Sequence, residues 1–333
     1  MATFLDPAIL FFAVGILAGC AKSNLEIPAP ISRFLAMYLL MALGLKGGFA
    51  LAKSGLTIGV VSALACAVTL AIAIPIVVFA VLRRRLAPFD AAAVAATYGS
   101  VSAVTFVTAV QVLESQGVAY GGHMAAAMAL MESPAIVLAV VMANVLRRSG
   151  AVAASGGGAG VATLQPGPGV SVGQVLRESF TDGGQILLLG AMAVGILSGE
   201  AGKAAMQPFT GELFKGMLAF FLLDMGLLTA RSLPGLRERS TWLVGFGVVA
   251  PLLHAAAALA LARLVGLGTG DTALLMVLAA SASYIAVPAV IRHAIPEANP
   301  SLYVGLPLGI TFPFNIFAGI PLYLAAAKMV TGG

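Results

Sequence analysis

Long apolar runs separated by short polar breaks set the pattern of this chain. A helix that crosses a bilayer needs about 20 mostly apolar residues. On that measure the predicted spans are Pro7–Ala21, Ile31–Ala52, Leu56–Leu82, Ala91–Leu113, His123–Leu146, Gly183–Gly199, Leu213–Ala230, Trp242–Val265, Thr272–Ile291 and Leu302–Lys328. The first is short for a crossing. Only residues 148–173 read as a linker, with the flexible run Ser155-Gly156-Gly157-Gly158-Ala159-Gly160 inside it. They divide the ten spans into two sets of five, residues 1–147 and 174–333.

The two sets can be superposed in order. Val14-Gly15-Ile16-Leu17-Ala18-Gly19 matches Val194-Gly195-Ile196-Leu197-Ser198-Gly199, and Gly44-Leu45 matches Gly226-Leu227. Asp90 precedes Ser100 and Ser102 by ten and twelve residues, as Asp271 precedes Ser281 and Ser283. Glu132-Ser133-Pro134 falls where Thr311-Phe312-Pro313 falls in the second set. Four matches in order, at offsets of 179 to 182 residues, are the mark of a duplication. Because five spans is an odd number, the second copy starts from the opposite face of the membrane. The predicted fold class is therefore an all-α integral membrane protein of about ten transmembrane helices in two inverted five-helix repeats, with substrate at the midplane between them.

Composition agrees. Of the 333 residues, 60% are hydrophobic and 9% charged, whereas a soluble domain carries roughly a quarter charged. The net charge of +5 then needs no nucleic-acid or acidic partner and reads as topology information. With the N-terminus outside, twelve Lys and Arg fall in inward loops, among them Arg83-Arg84-Arg85, Arg147, Arg148, Arg177, Arg237 and Arg239, against six outside. Both termini are expected outside and the linker in the cytoplasm. Residues 1–7 carry no Lys or Arg, so the first apolar run is expected to be retained as a helix rather than cleaved. Cys20 and Cys66 read as small packing residues.

Candidate chemistry lies at membrane depth. Tyr98-Gly99-Ser100-Val101-Ser102 and Ser281-Ala282-Ser283-Tyr284-Ile285-Ala286-Val287-Pro288 combine Gly, small hydroxyls and a proline, all of which weaken a helix. Backbone groups freed by a break survive in a membrane only where protein or a watery cavity satisfies them. N–H groups at the start of a half-helix attract an anion, and freed carbonyls hold a cation. The alternative is close helix packing, with the hydroxyls bonded to their own helix; the matched pair favours a site. Glu132, mid-span beside Pro134, costs at least ~2.5 kcal/mol to insert. With Ser133, Thr311 and nearby carbonyls it offers the oxygen donors a hard cation takes; a structural hydrogen bond or a protonated carboxyl is the alternative. Asp224 divides evenly between structural and functional readings. His254 reads as an interhelical hydrogen-bonder, Lys46 as a snorkelling side chain, and Asn315 as a group able to bond across the site. Neither a metal-ligand spacing nor a phosphate loop or nucleophile motif appears, and His123, His254 and His293 are scattered, so an enzyme is not indicated.

The run Ser281–Pro288, continuing through Pro296-Glu297-Ala298-Asn299-Pro300-Ser301-Leu302-Tyr303, resembles the sodium-dependent bicarbonate transporters of the SbtA type. Gly309-Ile310-Thr311-Phe312-Pro313-Phe314-Asn315 and Gly99-Ser100-Val101-Ser102 fit as well, and the resemblance covers essentially the whole chain. It implies a fold akin to sodium–proton antiporters and bile-acid symporters, with two discontinuous helices crossing near the midplane. It also implies Na⁺-coupled bicarbonate uptake, a homotrimer in the bacterial plasma (inner) membrane, and no cofactor beyond Na⁺ as coupling ion. Carried over residue by residue, the anion is expected at Gly99, Ser100, Val101, Ser102, Ala103, Thr105, Ser281, Ala282, Ser283 and Tyr284. Sodium is expected at Glu132, Ser102, Ser283, Thr311 and Asn315. Two departures stand out. Val104 occupies a position where cyanobacterial members carry a hydroxyl, which opens the door to another small anion such as a carboxylate or sulfate. The linker is shorter and more Gly-rich than theirs, which weakens the inference of a PII-like regulator. Rival readings are a proton-coupled antiporter on the same fold and a ligand-binding membrane receptor without transport.

Overall fold

The computed structural model describes residues 6–55, 57–155, 183–233 and 241–332, and every regular element among them is helical. In chain order they are α1 (Pro7–Cys20), α2 (Ala29–Ser54), α3 (Ile58–Leu82), α4 (Pro88–Gly99), α5 (Ala103–Ser115) and α6 (His123–Ser155). Then come α7 (Gly183–Gln207), α8 (Leu213–Ser232), α9 (Thr241–Val265), α10 (Thr269–Ala280), α11 (Ala286–Ala294) and α12 (Pro300–Thr331). The ten predicted spans fall on helices among the described residues, two of them, Ala91–Leu113 and Thr272–Ile291, interrupted by non-helical breaks. Helix α6 runs on through residues 148–155, assigned above to the linker. The rest of the linker, with Arg177, and the loop carrying Arg237 and Arg239 lie outside the described residues.

Seven of these helices or helix pairs are long and apolar enough to cross a membrane, and α1 and α10 are shorter apolar helices. One of the seven, Gly183–Ser232, has 50 residues. A straight helix of that length would reach about 75 Å, more than twice the roughly 30 Å of hydrocarbon. It is divided instead at Gly199, whose backbone (φ 54°, ψ −144°) is open to glycine alone, and at the π turn Pro208–Glu212. The two predicted spans are the two arms of this break.

The helices form two bodies. A flanking body pairs α1 with α8 and α2 with α7, and both pairs run parallel. They approach through glycine. A Cβ on Gly226 would lie 2.3 Å from the Phe12 carbonyl, and one on Gly48 would lie 2.2 Å from the Met192 carbonyl. Lipid supplies no hydrophobic force between helices, so such small-residue contact is what lets them associate. The second, crossing body holds α3–α6 and α9–α12. Its broken helices are shielded on all sides: every residue from Ala91 to Gly99 and from Thr272 to Ala280 is buried. Large apolar side chains such as Leu197, Ile58 and Leu264 project from the outside, the arrangement expected of a lipid-facing surface.

Prolines behave differently from one another. Pro134 leaves α6 continuous, whereas Pro313 lies between the π turns Pro307–Thr311 and Asn315–Gly319 of α12. The expected breaker beside Glu132 thus bends nothing open. A helix interior tolerates proline where neighbouring helices cover the freed carbonyl.

Candidate functional site at the crossing of two broken helices

Helix α4 ends at Gly99 and α5 begins at Ala103; α10 ends at Ala280 and α11 begins at Ala286. The extended residues between them meet. Ser102 N–H donates to Ser281 Oγ (2.9 Å), and Ser283 N–H donates to the Thr97 carbonyl (2.8 Å). Each break also caps the half-helix that follows it. Ser102 Oγ accepts from Thr105 N–H (3.2 Å), and Ser283 Oγ accepts from Val287 N–H (3.3 Å). Asn315 Nδ2 donates to the carbonyl of Ala280 (2.9 Å) and its Oδ1 accepts from Tyr323 (2.9 Å), which covers the end of α10. These backbone and capping groups of the break are thus satisfied inside protein, as depth in a membrane demands. Gly99 lets α4 pass α3: a Cβ there would lie 2.6 Å from Pro75.

A cavity of about 570 Å³ opens beside this crossing, between the two bodies. Val101, Ser102, Ala103, Ser283 and Tyr284 line it, together with Glu132. Gly99, Ser100, Thr105, Ser281 and Ala282 do not; they form the buried layer behind. In that layer Ser100 Oγ and Thr105 Oγ1 are buried without a hydrogen-bond partner among the described residues. Both half-helix N-termini, with their positive dipole ends, are presented at the cavity wall.

Glu132 is half-buried on α6. Its Oε2 accepts from Gln185 Nε2 (3.1 Å), which also lies 3.4 Å from Ser133 Oγ. The structure does not bring Thr311 or Asn315 to this wall. Thr311 Oγ1 donates to the Gly247 carbonyl (2.7 Å) and shares a 2.6 Å hydrogen bond with Tyr98, on the other side of the crossing. Sequence reasoning missed Gln185, Arg33, Phe221, Ile285 and Ala286 as cavity residues. The first three come from the flanking body, and no local motif announces which of its residues will face the crossing.

From the crossing the cavity runs toward the Ala289–Val290 end of α11, past Arg33 at the start of α2 and Gly183 at the start of α7. At the same end Arg147 holds Glu297 by two 2.8 Å contacts and the Ala294 carbonyl at 2.9 Å. Those hydrogen bonds hold the Glu297 carboxyl below the usual carboxylate range, against a smaller opposing effect of burial. The Asn299 N–H donates to Asp90 there (2.7 Å).

The opposite end is closed. Lys46 Nζ bonds both oxygens of Glu114 (2.9 and 3.0 Å) and lies 4.1 Å from the Phe214 ring centre, and Tyr120 donates to Glu114 (2.8 Å). Gly47 packs so tightly on Gly122 that a Cβ on the latter would lie 2.2 Å from the Gly47 carbonyl. Gly121 N–H donates to Asp271 (2.6 Å), and Lys328 Nζ donates to Gln116 (2.9 Å). Lys46, expected to snorkel, is therefore tied down. Asp224 accepts a hydrogen bond from Ser32, and His254 reaches the Ala279 backbone, a link between α9 and α10.

The family model for the Na⁺-dependent bicarbonate transporter superfamily matches residues 7–328, nearly the whole chain. No curated protein matches the chain.

Proposed function

We propose that this chain, which belongs to the Na⁺-dependent bicarbonate transporter superfamily, couples Na⁺ and bicarbonate uptake by symport and alternating access. The family is one of transport proteins rather than enzymes. The observation that carries the reading is the joint exposure of two half-helix N-termini and one carboxylate in a single cavity at the crossing. An anion is attracted by the former and a cation by the latter. Glu132, Ser102 and Ser283 are the donors we assign to Na⁺, while Thr311 and Asn315 support the far wall and the end of α10. Na⁺ compensates the Glu132 carboxylate and the half-helix N-termini compensate bicarbonate, so the loaded site lets the crossing body move past the flanking body; the empty site keeps an uncompensated carboxylate and resists.

The ten spans are, on this reading, two inverted repeats. Contacts exchange under the sequence offset in support of it. Asp90 bonding Asn299 N–H corresponds to Asp271 bonding Gly121 N–H. Arg147–Glu297 corresponds to Lys328–Gln116, each residue being displaced by 181 positions. With both termini outside, in the plasma membrane, the open end of the cavity faces the cytoplasm, so this conformation is inward-facing.

Val104 and the largely apolar flanking wall favour a second substrate reading, a small monocarboxylate in place of bicarbonate. Uptake of labelled bicarbonate into proteoliposomes, with and without an inward Na⁺ gradient, tests the main proposal. Na⁺-dependent uptake supports it. Folded protein that takes up no bicarbonate, but does take up a labelled monocarboxylate under the same gradient, replaces the substrate. Uptake driven by a pH gradient alone overturns Na⁺ coupling.

A further inference from the structure

Glu132 belongs to the crossing body and Gln185 to the flanking body, yet the two are hydrogen-bonded. Thr311, the repeat counterpart of Glu132, behaves otherwise: its hydroxyl bonds Tyr98 and Gly247, both within the crossing body. The Glu132–Gln185 bridge is thus a contact of one side and one conformation, since movement between the bodies must break it. Gln185 is 5% exposed and held at the third position of α7, beside Gly183 and Gly184 at the cavity wall.

We propose that Gln185 is a positioning residue that occupies the ion-binding carboxylate in the empty, inward-facing carrier and yields to Na⁺. The inference rests on the assignment of Glu132 to Na⁺. A carboxylate at a half-buried wall needs a positive partner, and the Gln185 amide N–H supplies a partial one. Na⁺ brings a full positive charge to the same oxygens and opposes the N–H dipole. Binding Na⁺ therefore weakens a link between the two bodies at the moment the carrier becomes loaded. Gln185 lowers Na⁺ affinity while it is engaged, and it makes release to the cytoplasm easier. A charge-assisted hydrogen bond of ordinary strength at a half-buried site corresponds to about a tenfold change in affinity.

Equilibrium binding of radioactive sodium to the full-length protein in detergent tests this without reference to the anion. Gln185→Met keeps the volume of the side chain and removes the donor; Gln185→Glu keeps its shape and turns the donor into an acceptor. Methionine is expected to tighten Na⁺ binding about tenfold, and glutamate to tighten it further. A merely structural role would weaken binding or leave it alone, so unchanged or weaker binding in the folded methionine variant overturns the inference. The sign of the change in Gln185→Met decides, because an added carboxylate favours a cation on charge alone; Gln185→Leu stands in if the methionine variant does not fold. Wild-type protein that binds no Na⁺ overturns the assignment of Glu132, a different outcome from wild-type binding that the variants leave unmoved.

Discussion

Removing the charge of Glu114 while keeping its shape should unlock the closed end of the transporter. Its partner Lys46 is on α2 and Glu114 on α5, so the pair spans the seam between the two bodies. The side chains are 17% and 32% exposed, and Lys46 is further held over the Phe214 ring. Fully exposed ion pairs contribute about 1 kcal/mol at most, and unscreened charge-assisted hydrogen bonds contribute about 1.5–3 kcal/mol. The pair lies between these cases, which places it at about 1–2 kcal/mol. On the proposed alternating access the seam parts in the outward-facing state, so Glu114→Gln is expected to shift the equilibrium toward that state by roughly 5- to 30-fold. Ile285, 57% exposed and lining the cavity, supplies the reporter. With Cys20 and Cys66 replaced and Ile285→Cys introduced, labelling by an impermeant thiol reagent from the side to which the cavity opens should slow in the Gln variant. The charge-swapped double variant K46E/E114K should restore the original rate. Equal labelling rates in the single variant and its parent would refute the argument that this pair holds the seam.

Four further outcomes follow. Glu132→Gln removes a unit charge that, at an effective dielectric near 20 and contact range, is worth about 4 kcal/mol to a monovalent cation; Na⁺-dependent uptake should fall at least a hundredfold at fixed Na⁺, read as initial rates in proteoliposomes. Gly226→Leu should lower the thermal midpoint by several degrees, because a Cβ there already meets backbone at 2.3 Å, whereas Gly190→Ala, which meets nothing within 4 Å, should leave it unchanged. Asn315→Ala strips the Ala280 carbonyl and the Tyr323 hydroxyl of their partner and should cost about 1–3 kcal/mol in a denaturation series. Glu297 has a depressed folded-state pKa, so its contribution is complete above the ordinary carboxylate pKa and is lost as pH falls through the folded value. Both side chains being partly exposed, the difference between wild type and Glu297→Gln should be within about 1 kcal/mol at pH 7 and should shrink as pH falls below the ordinary carboxylate range.

Apolar runs of about 20 residues can satisfy their own backbone only as helices in lipid, so the all-helical membrane class follows from sequence alone. The four matched segments are local strings, and they mark Ser102, Ser283 and Glu132 before any contact is known, because helix-weakening residues and an intramembrane carboxylate are costly wherever they stand. Contacts between distant segments carry no such local cost and so leave no trace in the chain. Nothing near residue 185 tells that its amide meets Glu132, 53 positions earlier. Nothing in the Glu132 and Thr311 motifs tells that one faces a cavity while the other bonds Tyr98 behind the crossing. Pro134 and Pro313 look alike in sequence, yet only the second is flanked by π turns. Which end of the molecule is open was likewise decided by packing. Lys46 and Glu114 are 68 positions apart, and Gly47 meets Gly122, so the closed seam exists only once the two bodies have docked.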